Sequence, residues 1–283
     1  MDNSVIFIVN PFSGKNKGEK RIAPFLREQG YDVVLTRYAG HAEEIARHTE
    51  AGVVVAVGGD GTVNEVARGL IGTGKTLGII PCGSGDGLAL HLGISRNFKK
   101  ALDVVKKGNT NILDCAEIDG KVFVSVCGVG LDAIVSDRFS KSSKRGLWTY
   151  IKEAIGTWKN FTPGKYDICL DGKHLSKKAV LITAGNSSQW GNGAKVTPLA
   201  RTDDGKLDLT IVNMFKTAEI PFLAWRLMTG TFHKSRRVEC FQAENITITR
   251  ESNGPAHFDG DSFQSGREIR ITLLQQKLKV LVP

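Results

Sequence analysis

The segment Val53-Val-Val-Ala-Val-Gly58-Gly59-Asp60-Gly61-Thr62-Val-Asn64-Glu65-Val constrains the fold more than any other part of the chain. Its first five residues are all apolar, as expected of a short strand buried on both faces. A glycine turn then leads straight into a helical pattern over Val63–Leu70. A buried strand that runs through glycines into a helix is half of a βαβ unit, and such units build parallel sheets. The same pattern recurs on either side. Val5–Val9 reads as a strand, followed by a Gly/Ser/Lys loop and a helix over Glu19–Gln29. Val33–Leu35 and Leu77–Ile80 read as strands, and His41–Glu50 as a helix. Another Gly-rich turn and helix follow Ile80. The expectation is an α/β N-terminal domain of three layers, with helices on both faces of a parallel sheet.

Beyond residue 110 the pattern changes. Short apolar or alternating runs appear at Val122–Val126, Tyr166–Leu170, Val180–Thr183, Leu207–Val212, Ile246–Thr249, Ile269–Leu273 and Val280–Val282. Asp171-Gly172, Asp204-Gly205, Asn253-Gly254 and Asp259-Gly260 punctuate them. This predicts a mainly antiparallel β-sandwich, interrupted by helices near Ser143–Trp158 and Ala218–Met228. The 283 residues accommodate two domains, here 1–120 and 121–283, with the last strand free to return to the first. The cleft between domains is the expected site.

No apolar run approaches the ~18–20 residues of a membrane span. The N-terminus lacks the basic region and cleavage site of a signal peptide. The five cysteines are widely spaced, without CxxC pairs, which predicts a reducing, cytoplasmic setting rather than disulfides or zinc. The net charge of 38 − 29 = +9 favours an anionic partner. Without a nucleic-acid motif, nucleic acid is not expected. Two aromatic segments have basic flanks: Leu147–Trp158 beside Lys141, Lys144 and Arg145, and the helix near 218–228 beside Arg226, Lys234, Arg236 and Arg237. Either suits an acidic membrane surface at the inner face of a membrane, or an ordinary core-facing helix with basic ends.

Gly58, Gly59 and Gly61 remove Cβ atoms where a ligand must approach the backbone. The helix start behind them presents free N–H groups and partial positive charge to an anion. Thr62 either caps that helix or donates to a phosphate. Asp60 beside a phosphate needs a cation between them, which points to Mg²⁺. The competing reading is a tight βα turn with a helix cap. Asn10-Pro11-Phe12-Ser13-Gly14, trailed by Lys15 and Lys17, forms a second candidate phosphate loop. Ser84 sits in a third. All three would lie at the carboxyl ends of parallel strands, where open α/β sheets bind ligands. Gly69-Leu-Ile-Gly-Thr-Gly-Lys75-Thr76 satisfies the P-loop pattern, but it closes a helix and enters a strand, the reverse of a P-loop.

Taken in order, these segments resemble the diacylglycerol-kinase catalytic domain family of lipid kinases. The quoted motifs are GGDGTVNEV at Gly58–Val66, NPFSG at Asn10–Gly14, GSGDG at Gly83–Gly87 and GVGLDA at Gly128–Ala133. The set continues with DGKLDL at Asp204–Leu209 and DGD at Asp259–Asp261. GGDGT alone would also admit NAD kinases. The resemblance implies an ATP- and Mg²⁺-dependent kinase acting on a lipid hydroxyl, of diacylglycerol or sphingoid-base type, with the lipid held by the second domain. It implies nucleotide contacts from Asn10, Pro11, Ser13, Gly14, Thr36, Gly58, Gly59, Asp60, Gly61, Thr62, Asn64, Glu65 and Ser84. Glu65 reads most simply as a support for the loop. It also implies a structural Mg²⁺ on Asp204 with the backbone carbonyls of Arg201 and Lys206. Asp261 becomes the general base, with Asp259 beside it and Asp60 serving metal and phosphate. Two positions depart from the pattern: Asp86 stands where the family has Asn, and Asp261 where it has Glu. An NAD-kinase-like enzyme and a binding protein without turnover are the alternatives.

Overall fold

Alternating buried strands and helices build the first unit, residues 1–115 with 275–283. The computed structural model describes residues 4–14, 18–141, 153–154, 156–158 and 161–283, without the side chains of 19 and 139–141. Its strands β1 (Val5–Val9), β2 (Asp32–Leu35), β3 (Val53–Gly58) and β4 (Thr76–Pro81) run parallel. The sheet order is β2-β1-β3-β4-β17-β5, where β5 is Thr110–Leu113 and β17 is Leu278–Leu281. The C-terminal strand thus inserts beside β4, parallel to it, and pairs antiparallel with β5 on its other side. Phe7, Ile8, Val54, Val55, Val57, Leu77 and Ile80 are fully buried, so the apolar runs are strands covered on both faces.

The helices are α1 (Ala23–Glu28), α2 (His41–His48), α3 (Asp60–Leu70), α4 (Gly87–His91) and α5 (Phe98–Lys107). The expected helix over 19–29 opens with a π-turn over Gly18–Ile22 before α1. Helix α3 begins three residues earlier than Val63, so Asp60 lies in its first turn.

The second unit is residues 116–274, which places the division at 115/116 and returns the last nine residues to the first unit. Its strands are β6 (Ala116–Ile118), β7 (Lys121–Phe123), β8 (Val126–Gly130), β9 (Gly164–Leu170), β10 (Lys173–Gly185), β11 (Leu207–Asn213), β12 (Val238–Ala243), β13 (Asn245–Arg250), β14 (Gly254–Phe258), β15 (Asp261–Ser265) and β16 (Glu268–Leu273). All its strand pairs are antiparallel. Strand β10 organises them: its first half pairs β9, and its second half pairs β8 and β11, across an irregularity near Val180. Ile168, Ile182, Leu209, Ile248, Ala256 and Ile271 share one core, which joins the two branches into a sandwich.

The run Val122–Val126 divides between β7 and β8, because Asp259 takes the amides of Val124, Ser125 and Val126. The Asp-Gly turns at 119–120, 171–172 and 259–260 all have positive φ at both residues, the hairpin geometry that Asp-Gly favours. Helices α6 (Leu131–Lys141) and α7 (Ile220–Thr229) belong to the unit, and the described residues 153–154 and 156–158 are also helical. Pro221 in the first turn of α7 and Gly230 with φ 71° after its last residue fix its ends. Lys15, Lys17 and most of the expected Ser143–Trp158 helix, including Lys144, Arg145, Leu147, Trp148, Tyr150, Ile151 and Ile155, lie outside the described residues. Among the described residues no helix is long and apolar enough to cross a membrane.

Candidate phosphate loops and the acidic turns

Three loops leave the carboxyl ends of β1, β3 and β4, which are neighbours in the first sheet. Asn10 accepts the amide of Phe12 on Oδ1 (3.0 Å), an Asx turn that folds the first loop on itself. Its Nδ2 donates to Thr62 Oγ1 in α3 (3.0 Å), tying that loop to the second. Thr62 therefore does not cap α3: Gly59 occupies the cap position, and no side chain accepts there.

Glycine is required where these loops touch. A Cβ on Gly58 would lie 2.5 Å from Thr62 Oγ1, one on Gly14 2.5 Å from the Cys82 carbonyl, and one on Gly83 2.6 Å from Gly59 Cα. Gly61 has nothing within 4 Å of its Cβ position. The two kinds of glycine should separate on substitution. Gly58→Ala should lower stability by about 1–3 kcal/mol, the usual range for overpacking. Gly61→Ala should leave the melting temperature unchanged or raised, because alanine favours a helix, yet weaken ATP binding. Thermal unfolding and nucleotide titration of both variants measure this.

Asp60 joins the second and third loops. Its Oδ2 accepts from the Asp86 amide (2.8 Å) and its Oδ1 from the Gly87 amide (2.7 Å), so it supplies the acceptor at the start of α4. Asp86 stands in the left-handed region at φ 51° and is only 3% exposed. Its Oδ1 accepts from the Gly83 amide (2.8 Å) and its Oδ2 from Arg96 Nε (2.9 Å). Arg96 also donates to the carbonyls of Ser84 and Gly85. Burial pushes the Asp86 carboxyl up, against the lowering effect of the Gly83 amide and Arg96. The extra charge that aspartate brings to this position thus has its own guanidinium partner. Arg96 was absent from the sequence expectations; a basic residue ten positions after the departing aspartate is the one available signal.

Among the other expected nucleotide residues, Pro11, Ser13 and Gly14 follow Asn10 in the first loop. Ser84 is exposed in the third loop, and Asn64 is buried in α3. Thr36 follows β2, its amide donating to the Val9 carbonyl. Glu65 points elsewhere: its Oε2 accepts from the Ala42 amide (3.2 Å), so it caps α2 rather than supporting the glycine loop. Gly72 and Gly74 close α3 with φ of 78° and 75°, and Lys75 Nζ donates to the Thr49 carbonyl. The P-loop-like pattern is therefore a helix terminus leading into β4. Lys75→Ala should cost a little stability, since it removes the bond to the Thr49 carbonyl, and leave nucleotide affinity within about twofold; thermal unfolding and nucleotide titration decide this.

In the second unit, Asp204 Oδ1 accepts from the Lys206 amide (3.2 Å), and Arg201 pairs with Asp203 at 3.3 Å. Asp208 is buried, with Gln242 Nε2 3.4 Å from both carboxylate oxygens. Burial, with a further contribution from Asp204, pushes its carboxyl up to about 6. Asp204 and Asp208 offer only hard oxygen donors, the kind that suits Mg²⁺. Among the described residues no group of three or more His, Cys, Asp or Glu side chains could hold a metal. A cation here would need the carbonyls of Arg201 and Lys206 and water to complete its shell.

Asp259 and Gly260 form the two-residue turn between β14 and β15, with φ of 44° and 92°. The Asp259 carboxylate is 7% exposed and accepts from the amides of Val124, Ser125 and Val126, each at 2.9 Å. That binds it to structure rather than to a substrate. Asp261, the first residue of β15, is exposed. Next to this hairpin lies a buried group in which Asp132 belongs to the GVGLDA segment, while its partners Thr183 and His257 carried no signal in the sequence. Asp132 Oδ2 accepts from Thr183 Oγ1 and faces His257 Nε2, both at 2.9 Å.

The family model described as the diacylglycerol kinase catalytic domain matches residues 4–118. That described as the YegS C-terminal NAD kinase beta sandwich-like domain matches residues 125–282. The chain is 30% identical over 269 residues to the probable lipid kinase YegS of Salmonella heidelberg, covering 91% of this chain and 82% of that one. It is 28% identical over 295 residues to a diacylglycerol kinase of Bacillus subtilis, covering 97% of each. A solved structure of a candidate diacylglycerol kinase from Bacillus anthracis superposes with a TM-score of 0.82 at 24% identity, over 99% and 95% of the two chains. That likeness concerns the fold alone.

Proposed function

The chain belongs to the diacylglycerol kinase catalytic domain family, and on that premise we propose that it transfers the γ-phosphoryl group of ATP to a lipid hydroxyl. The observation that carries this reading is the junction at Asp60, where one carboxylate joins the glycine loops after β3 and β4. The Asn10–Thr62 bond adds the loop after β1. Phosphoryl transfer asks mainly for positioning and charge neutralisation. The junction answers the first need: the ring of hydrogen bonds fixes the first turn of α3, whose leading amides have no intrahelical acceptor. Asn10, Pro11, Ser13, Gly14, Thr36, Gly58, Gly59, Gly61, Thr62, Asn64 and Ser84 surround the nucleotide in this reading.

Mg²⁺ would supply neutralisation of phosphate charge at the reacting centre, and Asp204 with the carbonyls of Arg201 and Lys206 would hold a structural ion at the turn before β11. Asp60 holds the glycine loops together through the amides of Asp86 and Gly87, and its carboxylate would also carry the negative charge that draws Mg²⁺ to the phosphates. Asp261 takes the proton of the acceptor hydroxyl. Asp259 acts as a positioning residue, because its three amide bonds fix the hairpin that presents Asp261. The lipid is held by the second unit, and the relatives named as diacylglycerol and lipid kinases favour a lipid over a soluble dinucleotide.

Purified protein with γ-labelled ATP, Mg²⁺ and a panel of diacylglycerol, sphingoid base, polyprenol and NAD tests the reading. Label in a lipid product supports it. Label in NADP and in no lipid overturns it in favour of an NAD kinase. No transfer to any acceptor, with ATP still bound, overturns it in favour of a binding protein.

A further inference from the structure

Helix α7 is apolar on both sides. Leu223 packs into a core with Val126, Val180, Leu181, Val196 and Val212, and Leu227 packs against it. The opposite side carries Phe222, Trp225 and Met228, which are 53%, 56% and 54% exposed. At i, i+3 and i+6 these three form one stripe along the helix. Phe222 and Trp225 stack with ring centroids 5.9 Å apart. Arg226 lies over the Phe222 ring at 4.6 Å and donates to the Thr231 carbonyl, so the rings are held outward in an ordered row. Helices that are apolar all round normally lie in a core, and contiguous exposed apolar surface marks an interaction site.

The charge around the helix specifies what covers the stripe. From Asn213 to Cys240 the chain has five Lys or Arg against two Glu. Glu219 is paired with Arg237, and Glu239 with Lys177. Lys216, Lys234 and Arg236 are exposed and bracket the helix in sequence. Large aromatics on one side with lysine and arginine at the margins are the composition of a helix lying in the headgroup layer of an anionic bilayer. A protein partner would need complementary acidic groups as well as an apolar groove. A bilayer supplies both the apolar layer and the negative charge.

We propose that the Phe222–Trp225–Met228 stripe of α7, with Lys216, Lys234 and Arg236, docks the protein on an anionic membrane surface. The inference takes its purpose from the lipid-kinase reading, while its chemistry is independent of it.

Co-sedimentation of the full chain with vesicles lacking any lipid alcohol substrate tests this. Neutral phosphatidylcholine vesicles are compared with vesicles in which about a third of the lipid is phosphatidylglycerol. Wild-type protein should bind the anionic vesicles at least tenfold more tightly. Phe222→Ser/Trp225→Ser should lose at least tenfold in that affinity. Lys234→Gln/Arg236→Gln should lose about fivefold per charge, in a salt-dependent manner, and keeps the proposal testable if the first variant melts early. Both variants should still phosphorylate a short-chain, monomeric substrate, so failure of docking is separable from failure of kinase activity. The proposal is overturned if wild-type protein ignores surface charge, or if both variants bind as wild type. It is also overturned if light scattering shows a dimer that the serine variant dissociates, since the stripe would then belong to a second copy.

Discussion

Asp60→Ala is expected to reduce lipid phosphorylation by at least about 10²-fold, the scale on which charge-organising groups act at a reacting phosphoryl centre. The folded state should survive. The substitution removes two carboxylate acceptors, for the amides of Asp86 and Gly87, and each hydrogen bond to a charged group contributes about 1.5–3 kcal/mol. In a chain of this size Tm falls by about 2–4 °C per kcal/mol, so a loss of about 10 °C is expected. Asp60→Asn sharpens the test. An amide can accept from one of the two backbone N–H groups but turns a donor toward the other, so the third loop should be displaced even though the side-chain volume is kept. Turnover by Asp60→Asn is therefore expected to resemble that of Asp60→Ala. Near-wild-type turnover by either variant, with a normal melting curve, would reduce the GGDGT segment to a structural turn.

The first unit was legible because its strands are buried on both faces and its loops are marked by glycine. Val53–Val57 needed no tertiary information to be read, and neither did the helix after it. The details that escaped are long-range. Nothing near Glu65 in the sequence announces that its carboxylate reaches Ala42 at the start of α2, 23 residues away. Thr62 has the composition of a helix cap, but Asn10, 52 residues earlier, claims its hydroxyl. The second unit was legible mainly through its turns. Asp171-Gly172 and Asp259-Gly260 marked real hairpins, and Asp119-Gly120 was an equally good signal that went unused. Strand β12, Val-Glu-Cys-Phe-Gln-Ala, was missed because its pattern is irregular: among the described residues it pairs on one side only, with β11.

The two departures from the family pattern differ in the same respect. Asp86 carries a charge where the family has an amide, and the fold answers locally with Arg96 at 2.9 Å, which offsets part of the cost of its burial. Nothing comparable is needed for Asp261, which shortens the usual side chain by one methylene without altering its charge. Asp259 and Gly260 form the turn, and Asp259 anchors it to residues 124–126.

Asp261→Asn is therefore expected to leave the hairpin intact while lowering kcat by at least about 10²-fold, within the 10²–10⁴ that a general base contributes. The amide is nearly isosteric but cannot take a proton from a lipid hydroxyl, whereas in the proposed reading the nucleotide lies on other loops. The KM for ATP should therefore change much less than kcat. Asp261→Glu should retain substantial activity, because it restores the family's usual residue at a position exposed enough to take the longer side chain. The pair of substitutions separates chemistry from shape: loss in Asn with retention in Glu identifies a required carboxylate, and equal loss in both identifies a steric requirement of the turn. If Asp261→Asn turns over near the wild-type rate, the proton goes elsewhere. Asp60 is then the first carboxylate to test, by comparing the pH dependence of kcat/KM in the two backgrounds.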